Sequence, residues 1–129
     1  MISAMLMGPQ AASAITQDGV SGIIEETLAK AEQPNGVRLL MADPDHWALS
    51  KPSKGRRRAL ALRTDDGGEW IVVDKTGPEE GLTPLLQHEL AHILAWRRYG
   101  EKIDEHGSQW ARICRQLVQE RQAEYCRRE

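Results

Sequence analysis

The apolar residues of this chain fall into periodic stretches separated by clusters of Gly, Pro, Asn and Asp. Val20, Ile23, Ile24, Thr27, Leu28 and Ala31 follow the i, i+3, i+4 spacing of an amphipathic helix, with Ser21 able to cap it and Pro34-Asn35-Gly36 to stop it. Val37–Ala42 is a short apolar run of strand length, closed by Asp43-Pro44-Asp45. Residues 46–55 read as a loop. Residues 57–63 and Glu69–Asp74 then flank Asp65-Asp66-Gly67-Gly68, a hairpin signal, and the second arm (EWIVVD) is rich in β-formers. Residues 75–81, with Gly77-Pro78 and Gly81, form a connector.

The last third is helical. Thr83 can cap a helix with Pro84 at its first position, where a missing N–H costs nothing, and Gly100 is the stop signal after Tyr99. At about 100° per residue, Leu82, Leu86, Leu90, Ile93 and Leu94 make one broad apolar arc, with His88 and His92 at its margin. Ser108 can cap a final helix whose stripe is Trp110, Ile113, Cys114, Leu117 and Val118, with Arg112, Arg115, Gln116, Gln119 and Glu120 outside. Residues 101–105 are a short link, which favours packing this helix back on the one before it. The pattern therefore predicts an α+β domain: an N-terminal helix, a three-stranded, mainly antiparallel sheet, a long helix and a C-terminal helix. Residues 1–17 show no clear period and read as a loose or partner-docked arm, leaving 18–129 as one domain.

Composition narrows this modestly. The 129 residues suit one domain with one real core. A net charge of −2 gives no global reason for nucleic-acid or membrane binding, and no stretch approaches the roughly 18 apolar residues that would span a bilayer. No Lys or Arg precedes Lys30, so the positive n-region of a secretory signal is lacking. Cys114 and Cys126 are too few for a disulfide framework or a four-cysteine zinc cluster, and Cys114, on the apolar stripe, is expected to be a buried thiol. These points favour a cytoplasmic protein, taken as a monomer.

The chemistry concentrates in the last third. His88-Glu89-Leu90-Ala91-His92 fits H-E-x-x-H, in which residues one helical turn apart present two imidazoles on one face. Zinc binds neutral imidazoles at about 2.0–2.1 Å, and a catalytic zinc site takes three protein ligands and keeps a place for water. The helical return brings His106 to the other two as the third ligand, and Glu89 is placed to take a proton from that water. Three of the chain's four histidines thus fall on one scheme for one zinc per chain.

The arrangement HELAH followed by HGSQW resembles the SprT/Spartan family of zinc metalloproteases, whose members read HExxH, a spacer of similar length, then a histidine-glycine pair and an aromatic; here these are His106, Gly107 and Trp110. The resemblance implies a small zincin-like domain that cleaves proteins, with His88, His92 and His106 as ligands and Glu89 as general base. The best-known members digest proteins crosslinked to DNA. The chain departs from the family in two places: Glu105 stands where a glycine is usual, and Cys126 is the sole cysteine near the end, where many relatives carry a four-cysteine zinc ribbon.

Other residues have competing readings. His46 is a less well scaffolded ligand candidate than His106. A glutamate ligand of the kind used by the ImmA-type repressor-cleaving proteases would be Glu120 or Glu124. Asp104 and Glu105 are candidates to orient His106, while Tyr99, Trp96 and Trp110 read as packing. Trp47, Lys51, Lys54, Arg56, Arg57 and Arg58, with Arg63 beyond them, form a cationic run beside an aromatic, suited to single-stranded DNA by charge and stacking or simply to a solvated hairpin arm. The alternative to a peptidase is a non-enzymatic nucleic-acid-binding or adaptor module stapled by zinc.

Overall fold

A computed structural model describes residues 15–51 and 55–127. Helix α1 (Gln17–Lys30) opens the described chain, capped by Thr16, whose hydroxyl accepts a hydrogen bond from the Gly19 N–H at 3.0 Å. The helix therefore starts four residues before the expected Ser21 cap. Val20, Ile24, Thr27 and Leu28 are its buried face, and Ile15 just ahead of it packs on the same core. The expected arm lies, up to residue 14, outside the described residues.

Strands β1 (Val37–Ala42), β4 (Ala59–Arg63) and β5 (Glu69–Asp74) form one sheet in the order β1-β5-β4. The hairpin β4–β5 is antiparallel, as its turn residues predict, whereas β1 pairs with β5 in parallel, so the sheet is mixed. Residues 46–55, expected as loop, contain a 3-10 turn (Trp47–Leu49) and two short strands, β2 (Ser50–Lys51) and β3 (Gly55–Arg56), paired with each other.

Both faces of the sheet are covered. Leu49, Ala48, Ala42 and Val72 form a small cluster on one side, with Leu60 and Leu62 against it. On the other side Ala59, Ala61, Ile71 and Val73 join the main core beneath helix α2 (Leu82–Tyr99). The Ala-Leu-Ala-Leu alternation of β4 follows from this difference. Leucines fill the outer layer, and alanines let α2 lie close to the strand backbone.

Helix α2 ends at Gly100, whose φ of 87° lies in the left-handed region that favours glycine. Its cap at the start is Gly81, at φ 73°, rather than Thr83. Leu82, Leu86, Leu90, Ile93 and Leu94 are all buried, as their arc predicts. Arg97, in its last turn, forks onto the Glu69 carboxylate with contacts of 2.7–3.2 Å and also donates to the Pro34 carbonyl, tying the end of α2 to the start of β5.

Helix α3 (Ser108–Leu117) packs back on α2 with Trp110, Ile113 and Cys114 buried. It stops at Leu117, short of the expected Glu120, and the chain turns into a 3-10 segment (Glu120–Cys126) that lies against α2 and α3. That return corrects the reading of the cysteines. Cys114 is buried, but it is disulfide-bonded to Cys126 rather than a free thiol. Disulfides persist mainly in oxidising compartments, so cysteine usage gives no support to a cytoplasmic location. No helix among the described residues is long and apolar enough to cross a membrane.

Candidate metal centre

The three histidines meet. His88 and His92, one turn apart on α2, have ring centroids 5.1 Å apart, and His106 lies 5.3 Å from the first and 4.8 Å from the second. One donor nitrogen from each falls within 4.8 Å of the others. Trp110 makes the floor of the group. Its fully buried ring lies 4.7, 5.1 and 4.8 Å from His88, His92 and His106, and its indole N–H donates to the His88 carbonyl at 3.3 Å. The residue expected as helix–helix packing therefore also touches all three imidazoles, stacked on His92 and edge-on to His88 and His106.

Backbone groups orient the side chains. His88 Nδ1 lies 2.6 Å from the Tyr125 carbonyl, an acceptor only, so Nδ1 carries the proton and Nε2 keeps its lone pair. Glu89 is buried, and its Oε1 accepts from the Ala61 N–H of β4 at 2.9 Å. Its Oε2 lies 3.9 Å from His88 Nε2. Neither backbone partner was legible beforehand, because every residue carries the same N–H and C=O.

Burial sets the protonation states. It pushes Glu89 up to about 8, opposed by the Ala61 N–H and the Arg57 charge and assisted by Glu105. It also pushes His92 down to about 3, helped by repulsion from His88 and His106. His92 is thus a neutral imidazole throughout the ordinary pH range, the form that coordinates metal. The donor set fits a divalent metal such as zinc: three imidazoles, a neutral buried ring among them, and one carboxylate alongside.

Gly107 makes the third position possible. A Cβ there would lie 2.8 Å from Asp104 Cβ, and the Gly107 N–H donates to the Asp104 carbonyl at 3.1 Å, so a side chain would push apart the turn that delivers His106.

The remaining candidates lie elsewhere. Glu120 and Glu124 are exposed, and the donor group found among the described residues contains only the three histidines. His46 stands apart, its Nδ1 accepting from the Ala48 N–H at 3.1 Å. Tyr99 packs on the main core.

The cationic run is divided. Arg57 bears electrostatically on Glu89, and its buried Nε has no hydrogen-bond partner among the described residues. Arg58 donates to the Pro78 and Glu80 carbonyls, and Arg63 pairs with Glu101. Arg56 donates to the Pro44 carbonyl from an exposed position, Lys51 is half-buried, and Trp47 is 74% exposed. Lys54 lies outside the described residues.

An α+β domain with HExxH on its central helix and a third histidine at the mouth of the next gathers three imidazoles that could hold a metal ion, with a carboxylate beside one of them. The model of the SprT-like family matches residues 72–128, the stretch that carries α2, α3 and all three histidines, and the match supports assigning the chain to that family. No curated protein and no solved structure matches it.

Proposed function

We propose that this protein is a zinc-dependent endopeptidase in which His88, His92 and His106 hold the ion and Glu89 is the general base. The observation that carries the reading is the position of the Glu89 carboxylate. One oxygen is anchored on the Ala61 N–H and the other lies 3.9 Å from Nε2 of His88. A carboxylate kept only for structure has no reason to be buried there at the cost of its charge.

When bound, zinc would lower the pKa of a coordinated water towards about 7 and polarise the substrate carbonyl. The chain's own groups do the rest. Glu89 Oε2 accepts the water proton and returns it to the leaving amine, while the Ala61 N–H keeps the carboxylate from turning away. The Tyr125 carbonyl holds His88 in the tautomer that offers Nε2, and Trp110 closes the floor to water.

The test is metal content together with cleavage of casein or of the chain itself. The parent should carry one zinc and cleave, and Glu89→Gln should keep zinc and lose about 10²–10⁴-fold in rate. Equal cleavage by Glu89→Gln removes Glu89 as the base.

An association with single-stranded DNA, and with it the cleavage of DNA-crosslinked proteins, has one supporting observation: exposed Trp47 opens the turn that leads directly into the β2–β3 ribbon carrying Lys51 and exposed Arg56. Stacking and charge of this kind give binding that weakens steeply with salt. If binding through this patch survives Glu89→Gln and no activator elicits proteolysis, the protein is a zinc-stapled adaptor module instead.

A further inference from the structure

The proton on His88 Nδ1 is held by a segment with little of its own to hold it in place. Residues Glu120–Cys126 form a short 3-10 stretch kinked at Gln122, and Glu120, Arg121, Ala123 and Glu124 are exposed. Such stretches carry poorer hydrogen bonds than an α-helix and lean on their surroundings. The segment lies against α2 and α3, and two adjacent residues tie it to the site. Cys126, 1% exposed, is covalently joined to Cys114 on α3, and Tyr125 turns its carbonyl to His88 Nδ1 at 2.6 Å. The Cys114 sulfur lies 3.9 Å from that same carbonyl, so the bond and the acceptor occupy one spot. On its other side the Tyr125 hydroxyl reaches the start of α2, 3.0 Å from where a Cβ on Gly81 would stand.

From this juxtaposition we infer that the Cys114–Cys126 disulfide is a positioning element of the metal centre. It fixes the Tyr125 carbonyl on His88 Nδ1 and thereby the tautomer and ring direction of one of three ligands. The inference rests on the reading that His88, His92 and His106 hold a metal. Opening the bond with a phosphine moves two electrons from phosphorus to the sulfurs, while one water supplies both protons and the oxygen of the resulting phosphine oxide. Both cysteines end as thiols, and the carbonyl loses its covalent tether. Partners that fix a ligand imidazole in this way are worth about 10–100-fold in metal affinity.

The test compares the oxidised full chain with the double variant Cys114→Ala/Cys126→Ala, which has no thiol to bind zinc. Zinc affinity is measured by competition with a chromophoric chelator, folding by thermal melt, and ring protonation by long-range proton–nitrogen NMR of the zinc-loaded proteins. The expected result is 10–100-fold weaker zinc in a variant that still melts cooperatively, with the His88 Nδ1–H resonance lost or exchange-broadened and those of His92 and His106 kept. Equal affinity, or an unchanged His88 resonance, overturns the inference and leaves the zinc site intact. Should the variant not fold, zinc release to the chelator is timed from the folded, loaded parent with and without phosphine. Faster release supports the inference, and an unchanged rate overturns it. An oxidised parent that binds no zinc, or binds it as well after His106→Ala, overturns the three-histidine reading and this inference with it.

Discussion

Replacing Glu89 by glutamine in the metal-free protein should stabilise it relative to the parent in proportion to pH. Glu89 is buried and its carboxyl is pushed from an ordinary 4.5 up to about 8, so at neutral pH the fold holds it protonated while the unfolded chain holds it charged. Folding must therefore take up a proton. That costs about 1.4 kcal/mol for each pH unit above the unfolded value, or about 3 kcal/mol at pH 7. The sign is that of a raised carboxyl: the stability is fully present below pH 4.5 and is lost as pH climbs towards about 8. Glutamine takes up no proton, and its oxygen can still accept from the Ala61 N–H. Its amide NH₂ replaces Oε2 and adds a fixed cost of about 1–3 kcal/mol if it finds no partner. That cost does not vary with pH. The comparison is urea unfolding followed by tryptophan fluorescence, with chelator present, at pH 4, 5, 6 and 7. Between the two ends the difference in unfolding free energy should move about 3 kcal/mol in favour of the variant, and zinc should shrink the effect in the parent by drawing the proton off Glu89. A difference that stays flat, or moves towards the parent, would mean that Glu89 is already charged in the metal-free fold.

Three further outcomes are expected. Neutral His92, held down to about 3 from 6.5, gives the metal-free protein stability that is lost as pH falls from 6.5 to 3. Glu89 opposes it above pH 4.5, so thermal melts should show a plateau between about 4.5 and 6.5 with declines on either side, and His92→Gln should flatten the acid limb. Arg97→Ala leaves the mostly buried Glu69 carboxylate without its fork and should cost about 2–3 kcal/mol by urea unfolding. Arg97→Lys, with one point charge and no fork, should restore less than half of that. Gly107→Ala sets a Cβ against Asp104 and should weaken zinc binding, measured by chelator competition, about tenfold while the melt moves only slightly.

Much of this arrangement is legible in the residues themselves. Helix α2 declares its apolar arc, its glycine stop and its two histidines a turn apart, and the limits of β1 and β5 coincide with their apolar runs. What escapes is decided by distant parts of the chain. The parallel pairing of β1 with β5 depends on how α1 and the hairpin pack, which no local pattern encodes. Thr16 outcompetes Ser21 as a cap because Gln17 and Val20 already belong to the packed helix. Cys114 reads as a thiol until the chain after Leu117 is seen to double back and bring Cys126 to it. Arg57 and Arg58 look like a solvated pair, yet one bears on Glu89 and the other laces the connector ahead of α2.

The indole of residue 110 meets all three imidazoles at once, stacked on His92 and edge-on to His88 and His106, and so bounds the gap between them on one side. Two of the imidazoles ride on a helix whose far end is clamped to the sheet, and the third arrives on a short exposed link. The aperture offered to an ion thus depends on the bulk of residue 110 as well as on the reach of the link. Trimming that ring to phenylalanine would remove both its bulk and its hydrogen bond to the His88 carbonyl, and so change the fit for a cation with no ligand altered.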